Sequence, residues 1–543
     1  MAKLLHLPVL LSLVTALGLA GPLQFSGSAS LQGNAEFISG DALREPYSNL
    51  TLNINPSLTV FGIPITTDIL LSTMESDVRQ ALNKFRIGLD PLSLLRQRLP
   101  VPGFMQYLPK VDFGTFSPSY SALTLSGATV TGLGIEYQPW KLYIAGAGGR
   151  TQRAIEGSDT TEPAYWRQLY AARVGFGKKE ATHYYLTILS VRDDSNSIER
   201  NWPDTTAPAD TIEVVTPQEN YVLGMEFNLS LFEDAFRLES EVAGMELIRD
   251  NRLPLVDHKQ VPNWIERLLR IRWSSQFDYA YSVRPVVNVL ETRVFGEVRM
   301  VGPGYRSLGA PALRNDNLAF SAGVERSFLN EAVSASASIS RERDNLIGMK
   351  LTTTSFTTLA LALNFAFPNI PYASLGYSAC SQNSEGLSDR SHIVNLSTGH
   401  SFTTGAISHS PSLSFSWQGH QSGTGDGDYV TFDLSLGHSL GFPFPLTASA
   451  NLGLARTAYQ DSAENRFYLS LAPGYTIFGN WTNSLSFNGA FEKSGRRFDL
   501  GLNSSFPVWK LCTANLGIGR TNYQGQDGSY NEWQLTGSLT KSW

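Results

Sequence analysis

The chain has 543 residues, enough for several ordinary domains or one very large one, and only 17% of them are charged. A net charge of −6, with no dense basic patch, argues against nucleic acid as a partner. Glycine (47 residues), serine, threonine and asparagine are abundant and aromatics reach 11%, a mix that favours extended structure over helices.

The chain opens MAKLLHLPVLLSLVTALGLA, one lysine before an apolar run from Leu4 to Leu19, with small residues at Gly18 and Ala20. This predicts a secretory signal peptide over residues 1–20, cleaved near Ala20. A membrane-anchoring helix fits less well, because the run is short and contains Pro8.

FSGSASLQGNAEF follows at once. Phe25, Gly27, Ala29, Leu31, Gly33, Ala35 and Phe37 alternate with Ser26, Ser28, Ser30, Gln32, Asn34 and Glu36. Successive side chains of a strand point to opposite faces, so this is a two-faced strand. The same rhythm predicts strands near 24–38, 48–61, 63–74, 83–89, 109–117, 127–138, 140–150, 164–177 and 181–192. From residue 219 it becomes regular. NYVLGMEFNLSL puts Tyr221, Leu223, Met225, Phe227, Leu229 and Leu231 on one side, and HSPSLSFSWQG sets Leu413, Phe415 and Trp417 between serines. About seventeen such segments of roughly 10 to 15 residues are expected here, against about 5 to 6 for an ordinary strand.

The connections are expected to alternate. Short ones flanked by aromatics or proline (LFEDAF, SVRPVV, FLNEAV, GFPFPL, IFGNWT) take turns with long polar ones such as GPGYRSLGAPALRND, QSGTGDGDY and NYQGQDGSYN. A large soluble sandwich has no reason to sort its turns in this way, but a membrane-spanning barrel has. Hydrocarbon offers no partner for backbone N–H and C=O groups, so strands can cross it only as a closed sheet with an apolar outer face.

The alternating strands, the two loop classes, the leader and the aromatic end NEWQLTGSLTKSW resemble the Gram-negative outer-membrane β-barrels over residues 21–543. VTPQEN and VGPGYRSLG faintly resemble stretches of other large barrels of that class. The resemblance implies an all-β, transmembrane, antiparallel barrel located in the outer membrane. It also implies that Trp533, Leu539 and Trp543 form a terminal signal read by the barrel-assembly machinery. Lys541 departs from that pattern, since a hydrophobic residue is usual there, although a lysine so near the end can snorkel to the interface.

The count is about 26 strands, with 22 to 26 as the range, and barrels near 22 strands are normally plugged. Strand pattern begins directly after the leader, which leaves no room for a globular plug ahead of it. Residues 89–126, rich in Pro, Leu and Arg, are therefore the candidate for an internal or periplasmic gating segment, with LDPLSLLRQRL as a short helix capped by Asp90.

The inward parity is unusually charged at Arg237, Glu239, Glu241, Glu291, Arg293, Glu297 and Arg299, with Glu226 and Glu325 nearby; beyond residue 330 it turns neutral apart from Arg341, Asp433 and Asp499. Such a stripe either stiffens the wall through lateral pairs or sets a field that selects solutes. Five of the eight histidines (His392, His400, His409, His420 and His438) lie between 391 and 440, but their spacing shows no convergence on a metal. SHIVNLSTGH holds the residue types of a hydrolase without a distinguishing arrangement, and GDGD at 425–428 reads as a loop tip. Cys380 and Cys512 are expected to remain unbridged.

The sequence thus predicts a non-enzymatic pore or transport channel for a polar solute or a secreted chain, with no cofactor and no metal. The alternative is a non-conducting scaffold that binds periplasmic or envelope proteins through its extracellular loops. Outer-membrane lipid is the expected surrounding partner.

Overall fold

The computed structural model describes residues 23–41, 47–60, 63–74, 83–91, 108–158, 161–179, 181–199, 214–256, 270–425, 427–508, 512–526 and 528–543. The leader and the segment 92–107, with its proposed helix, lie outside them.

The described chain forms one antiparallel sheet of 27 strand segments, β1 (Leu23–Gly40) to β27 (Gly528–Ser542), each paired with its neighbours in sequence. β18 (Leu387–Gly399) and β19 (Phe402–Thr404) both pair with β20 (Ile407–Gln421), so they are two halves of one strand broken at His400–Ser401. The ring therefore holds 26 strands, the number expected from the sequence. β27 returns to β1, in register from Ser28 opposite Ser542 to Gly40 opposite Tyr530, and no edge remains open.

Cross-strand partners share a face, so the inside can be followed around the ring. Asn34 faces Asn49 and Thr536, Thr536 faces Gly517, and Gly517 faces Asn503. Carried through every pairing, the same parity arrives back at Asn34. The other parity is apolar almost throughout, as in β10 (Glu219–Leu231), where Leu223, Met225 and Phe227 stand exposed on the outer face.

Leu23 and Trp543 sit at one end of the ring, and short turns lie there. Val289 pairs with Thr292 across Leu290 and Glu291, which both take left-handed backbone (φ 49° and 60°), the twist that suits a two-residue hairpin. Glu291 is thus a turn residue rather than a member of the lumen wall. The connections at the opposite end are polar but not uniformly long. Ser384 pairs with Leu387, and Gly525 with Gly528, so NYQGQDGSYN is a tight hairpin rather than a long loop. The expected alternation of length therefore weakens after residue 353, since two residues suffice wherever glycine supplies the reversal.

The ring is closed by aromatic contact as well as backbone. Trp543 exchanges two backbone hydrogen bonds of 3.0 Å with Gly27, and its ring stacks on Phe25 at 5.8 Å. Trp533 and Leu539 face outward on the same strand, opposite Phe37 and Leu31 of β1.

Candidate functional site

Two connections at the end away from the termini turn into the barrel. One follows β5 (Lys110–Phe116) and spans 117–129; the other follows β13 (Thr292–Val301) and spans 302–316. Their apolar residues (Leu123, Leu125, Tyr305 and Leu308) pack with the inward side chains of β6 (Val130–Tyr137) through β13. In β8 (Trp166–Gly177) and β9 (His183–Asp194) the inward face is consequently apolar too, through Leu169, Ala171, Leu189 and Val191. A strand buried on both faces loses its polar parity. Among the described residues of the proposed gating segment 89–126, 110–116 is a strand of the wall and 117–126 lies inside.

Polar groups of the wall reach up to hold these loops. The Leu123 N–H donates to Glu241 Oε1 at 2.9 Å, and the Tyr305 hydroxyl donates to the Leu123 carbonyl at 2.7 Å. Burial, with Glu241 and Asp278 nearby, keeps the Tyr305 phenol well above its ordinary pKa, so it remains a donor. Ser307 donates to the Thr124 carbonyl at 2.5 Å, and Ser126 N–H to Gly309 O at 2.9 Å, joining loop to loop. Asn220 anchors the second loop, accepting from Leu308 N–H at 2.9 Å and donating to Arg306 O at 3.1 Å. Gly224 allows the close approach: a Cβ there would stand 2.3 Å from Thr124 Cγ2.

Beneath the loops lies a charged belt. Arg173 is almost fully buried, donates to the Tyr120 carbonyl and to Glu226 Oε2 (2.5 Å), and lies over the Tyr185 ring at 4.4 Å. His183 meets the other Glu226 oxygen at 2.8 Å. Of the residues singled out from the sequence, Arg237 lies 3.6 Å from Glu239, and Glu239 lies 3.6 Å from Arg284. Arg299 pairs with Glu297 at 2.6 Å, and Arg293 with Glu325 at 3.4 Å. Glu241 instead grips the loop. Arg173, His183, Arg284 and the tyrosines around them escaped the sequence reading. The signal for a covered inner wall was the apolar inward parity of YLTILSV and its neighbours.

Two lumen cavities differ in chemistry. One of about 720 Å³, between the first inward loop and strands β3 (Ile63–Ser72) to β7 (Leu142–Gln152), is lined by Asp68, Arg86, Lys110, Asp112 and Glu136. One of about 450 Å³, next to it around the seam of β27 and β1, is lined by hydroxyls and amides such as Asn34, Asn49, Thr51, Asn503 and Thr536, without a charge.

Other expectations need amendment. Arg341 is not part of the inner wall: it lies opposite Phe320, on the outer face. The histidines do converge in part, since register sets His409 of β20 diagonally beside His438, with nitrogens 3.3 Å apart and Phe402 stacked on His409. This row lies on the outer face, and among the described residues no group of three metal-ligating side chains forms. In SHIVNLSTGH, alternation turns Ser391 and Ser397 inward and His392 outward, where His392 bonds Tyr377 at 2.9 Å. Cys380 and Cys512 are free thiols.

Asp316, the last residue of the second inward loop, fixes its base. Burial opposes its ionisation, but Lys350 Nζ at 2.6 Å and the N–H groups of Leu346 and Asn345 outweigh burial and hold its carboxyl below the usual range. A depressed carboxyl contributes stability that is present above its unfolded pKa, about 3.9, and lost as pH falls through the folded value. Limited proteolysis within 344–353 is therefore expected to be slow at neutral pH and to quicken below about pH 4, and Asp316→Asn should abolish that pH dependence.

A closed ring of long strands with an apolar outside and a polar inside has one solvent that suits it. The chain is a membrane-spanning β-barrel. No known protein family and no curated protein matches its sequence. Among solved structures, the P pilus usher (PapC) translocation pore aligns over 95% of this chain and 99% of its own, at 11% identity and a TM-score of 0.42. OpdK of Pseudomonas aeruginosa, solved with vanillate, aligns over 61% of this chain and 94% of its own, at 12% identity and a TM-score of 0.31. A BenF-like porin from Pseudomonas fluorescens Pf-5 gives 62%, 94%, 12% and 0.31. At those scores the barrel's own pairing remains the ground for its fold.

Proposed function

We propose that this barrel is a pore for polar solutes, narrowed from the loop end by the two inward connections. The observation that carries the reading is the hydrogen-bonded seating of 117–129 and 302–316 against β6–β13, beside a lumen lined around the seam of β27 and β1 by a wall of hydroxyls and amides. Water fills such a wall readily, so a continuous aqueous path past the loops follows. The mixed-sign belt of Arg237, Glu239, Arg284, Glu297, Arg299 and Arg293 borders that path. Its members are only partly buried, so their pairing contributes little stability and their field acts mainly on what passes.

Planar-bilayer recording of the full chain tests this reading. Discrete conductance steps in potassium chloride are expected, and a silent bilayer containing correctly folded, heat-shifting protein would favour the scaffold reading instead.

A further inference from the structure

From β15 (Val333–Arg343) to β27 the charges are sorted by sign. Every aspartate and glutamate on these strands, from Glu342 to Glu532, lies on the inward parity. The outward parity carries Arg341, Arg343, Arg390, Arg456, Arg496 and Arg520. Their cross-strand partners are outer-face residues: Phe320 for Arg341, Phe432 for Arg456, Phe491 for Arg496, and Leu500 and Trp533 for Arg520. All six stand in the half of their strand nearer the loop end. Among the described strand residues at the turn end of the same face the cations reduce to Lys541, with Arg326 on the preceding strand, β14 (Asn317–Phe328).

The two faces also treat their arginines differently. Inside, Arg466 pairs with Glu492 and Arg497 with Asp499, each at 3.0 Å. Outside, none of the six has a carboxylate within 4 Å among the described residues. Arg520 lies over the Trp533 ring at 5.2 Å, and Arg496 donates through Nε and Nη2 to Gln524 Oε1 at 2.9 and 2.5 Å, contacts with neutral groups that leave the positive charge of both guanidiniums uncompensated. An arginine on the lipid face is costly at mid-bilayer and nearly free at the headgroup level. A planar guanidinium matches the oxygens of a phosphate bidentately. A leaflet without net charge would call for no sorting by sign.

We propose that the outer face of β15–β27 at the loop end is a docking surface for phosphate-bearing lipid headgroups of the leaflet that surrounds it. The apolar band below is continuous with this rim, so one lipid molecule meets both, its chains on the leucines and phenylalanines and its phosphate among the arginines.

Native mass spectrometry of the detergent-solubilised full chain tests the assignment, with bisphosphorylated lipid A as probe, phosphatidylcholine as zwitterionic control and inorganic phosphate as competitor. The wild type is expected to retain the phosphorylated lipid preferentially, and Arg456→Gln/Arg496→Gln/Arg520→Gln to lose about tenfold or more of that retention. Lysine at the three positions should restore part of it, and a heat-shift gel confirms that each variant is folded. Equal retention of phosphatidylcholine by the wild type, undiminished retention by a folded glutamine variant, or displacement by inorganic phosphate at equal concentration would overturn the proposal. Should the glutamine variant not fold, the wild-type preference and the lysine variant decide the matter.

Discussion

Gly224→Val is expected to raise single-channel conductance by roughly twofold or more, because a side chain on that wall position drives the first inward loop out of its seat and widens the constriction. The built Cβ would stand 2.3 Å from Thr124 Cγ2, and Thr124 is fully buried with no room to retreat. Leu123→Asp approaches the same end from the loop: Leu123 is fully buried, and an unpaired carboxylate there is expelled toward water. Both variants leave the strand ladder intact, so the heat-dependent gel shift should persist. Wild-type conductance in both folded variants would show that the loops do not lie on the conducting path.

The largest expected loss of stability comes from Arg173→Met. Its side chain is 1% exposed, and Glu226 relies on it at 2.5 Å. Removing one member of a buried ion pair costs about 3 to 5 kcal/mol, since the other charge is left uncompensated. Here about 3 is expected, because His183 still reaches Glu226 and that carboxylate is 26% exposed. Arg173→Met/Glu226→Gln should recover much of the loss. Urea unfolding of the bilayer-reconstituted protein, followed by tryptophan fluorescence, measures both; a double variant no better than the single one would mean that the aromatic packing of Arg173, not its charge, carries the effect.

The strands were legible because lipid imposes a single requirement on every one of them. Where lipid faces one side and water the other, period two is clean, as in β1 and β20, and bounds fell within a few residues. β4 (Lys84–Leu89), β5 and β6, at six, seven and eight residues, are the shortest spanning strands and gave the weakest pattern. The inward loops were harder to see. Leu123 and Leu125 look like any short apolar stretch, and their seat is assembled from residues up to 183 positions away, as between Ser307 and Thr124. Arg341 was placed on the wrong face because polarity stops reporting direction at a strand's end, where the outside is wet as well. The same end effect concealed the arginine rim. Loop lengths failed for a separate reason: a glycine at Gly386 or Gly528 lets a polar stretch reverse within two residues, and composition alone does not register that.

The seam between β1 and β27 also bears on how the molecule comes into being. Its bonds join residues about 500 positions apart, as from Ser39 to Asn531. Loop-closure entropy grows only logarithmically, so so distant a contact is affordable at equilibrium. Kinetically it is the last to be available: until residues 528–543 exist, the first strand has no mate on its free side, and a long bare strand invites pairing with the wrong chain. A nascent copy is therefore exposed along that margin, and a truncation of a few residues at Trp543 should be felt first as misassembly during biogenesis rather than as weakness of the finished ring.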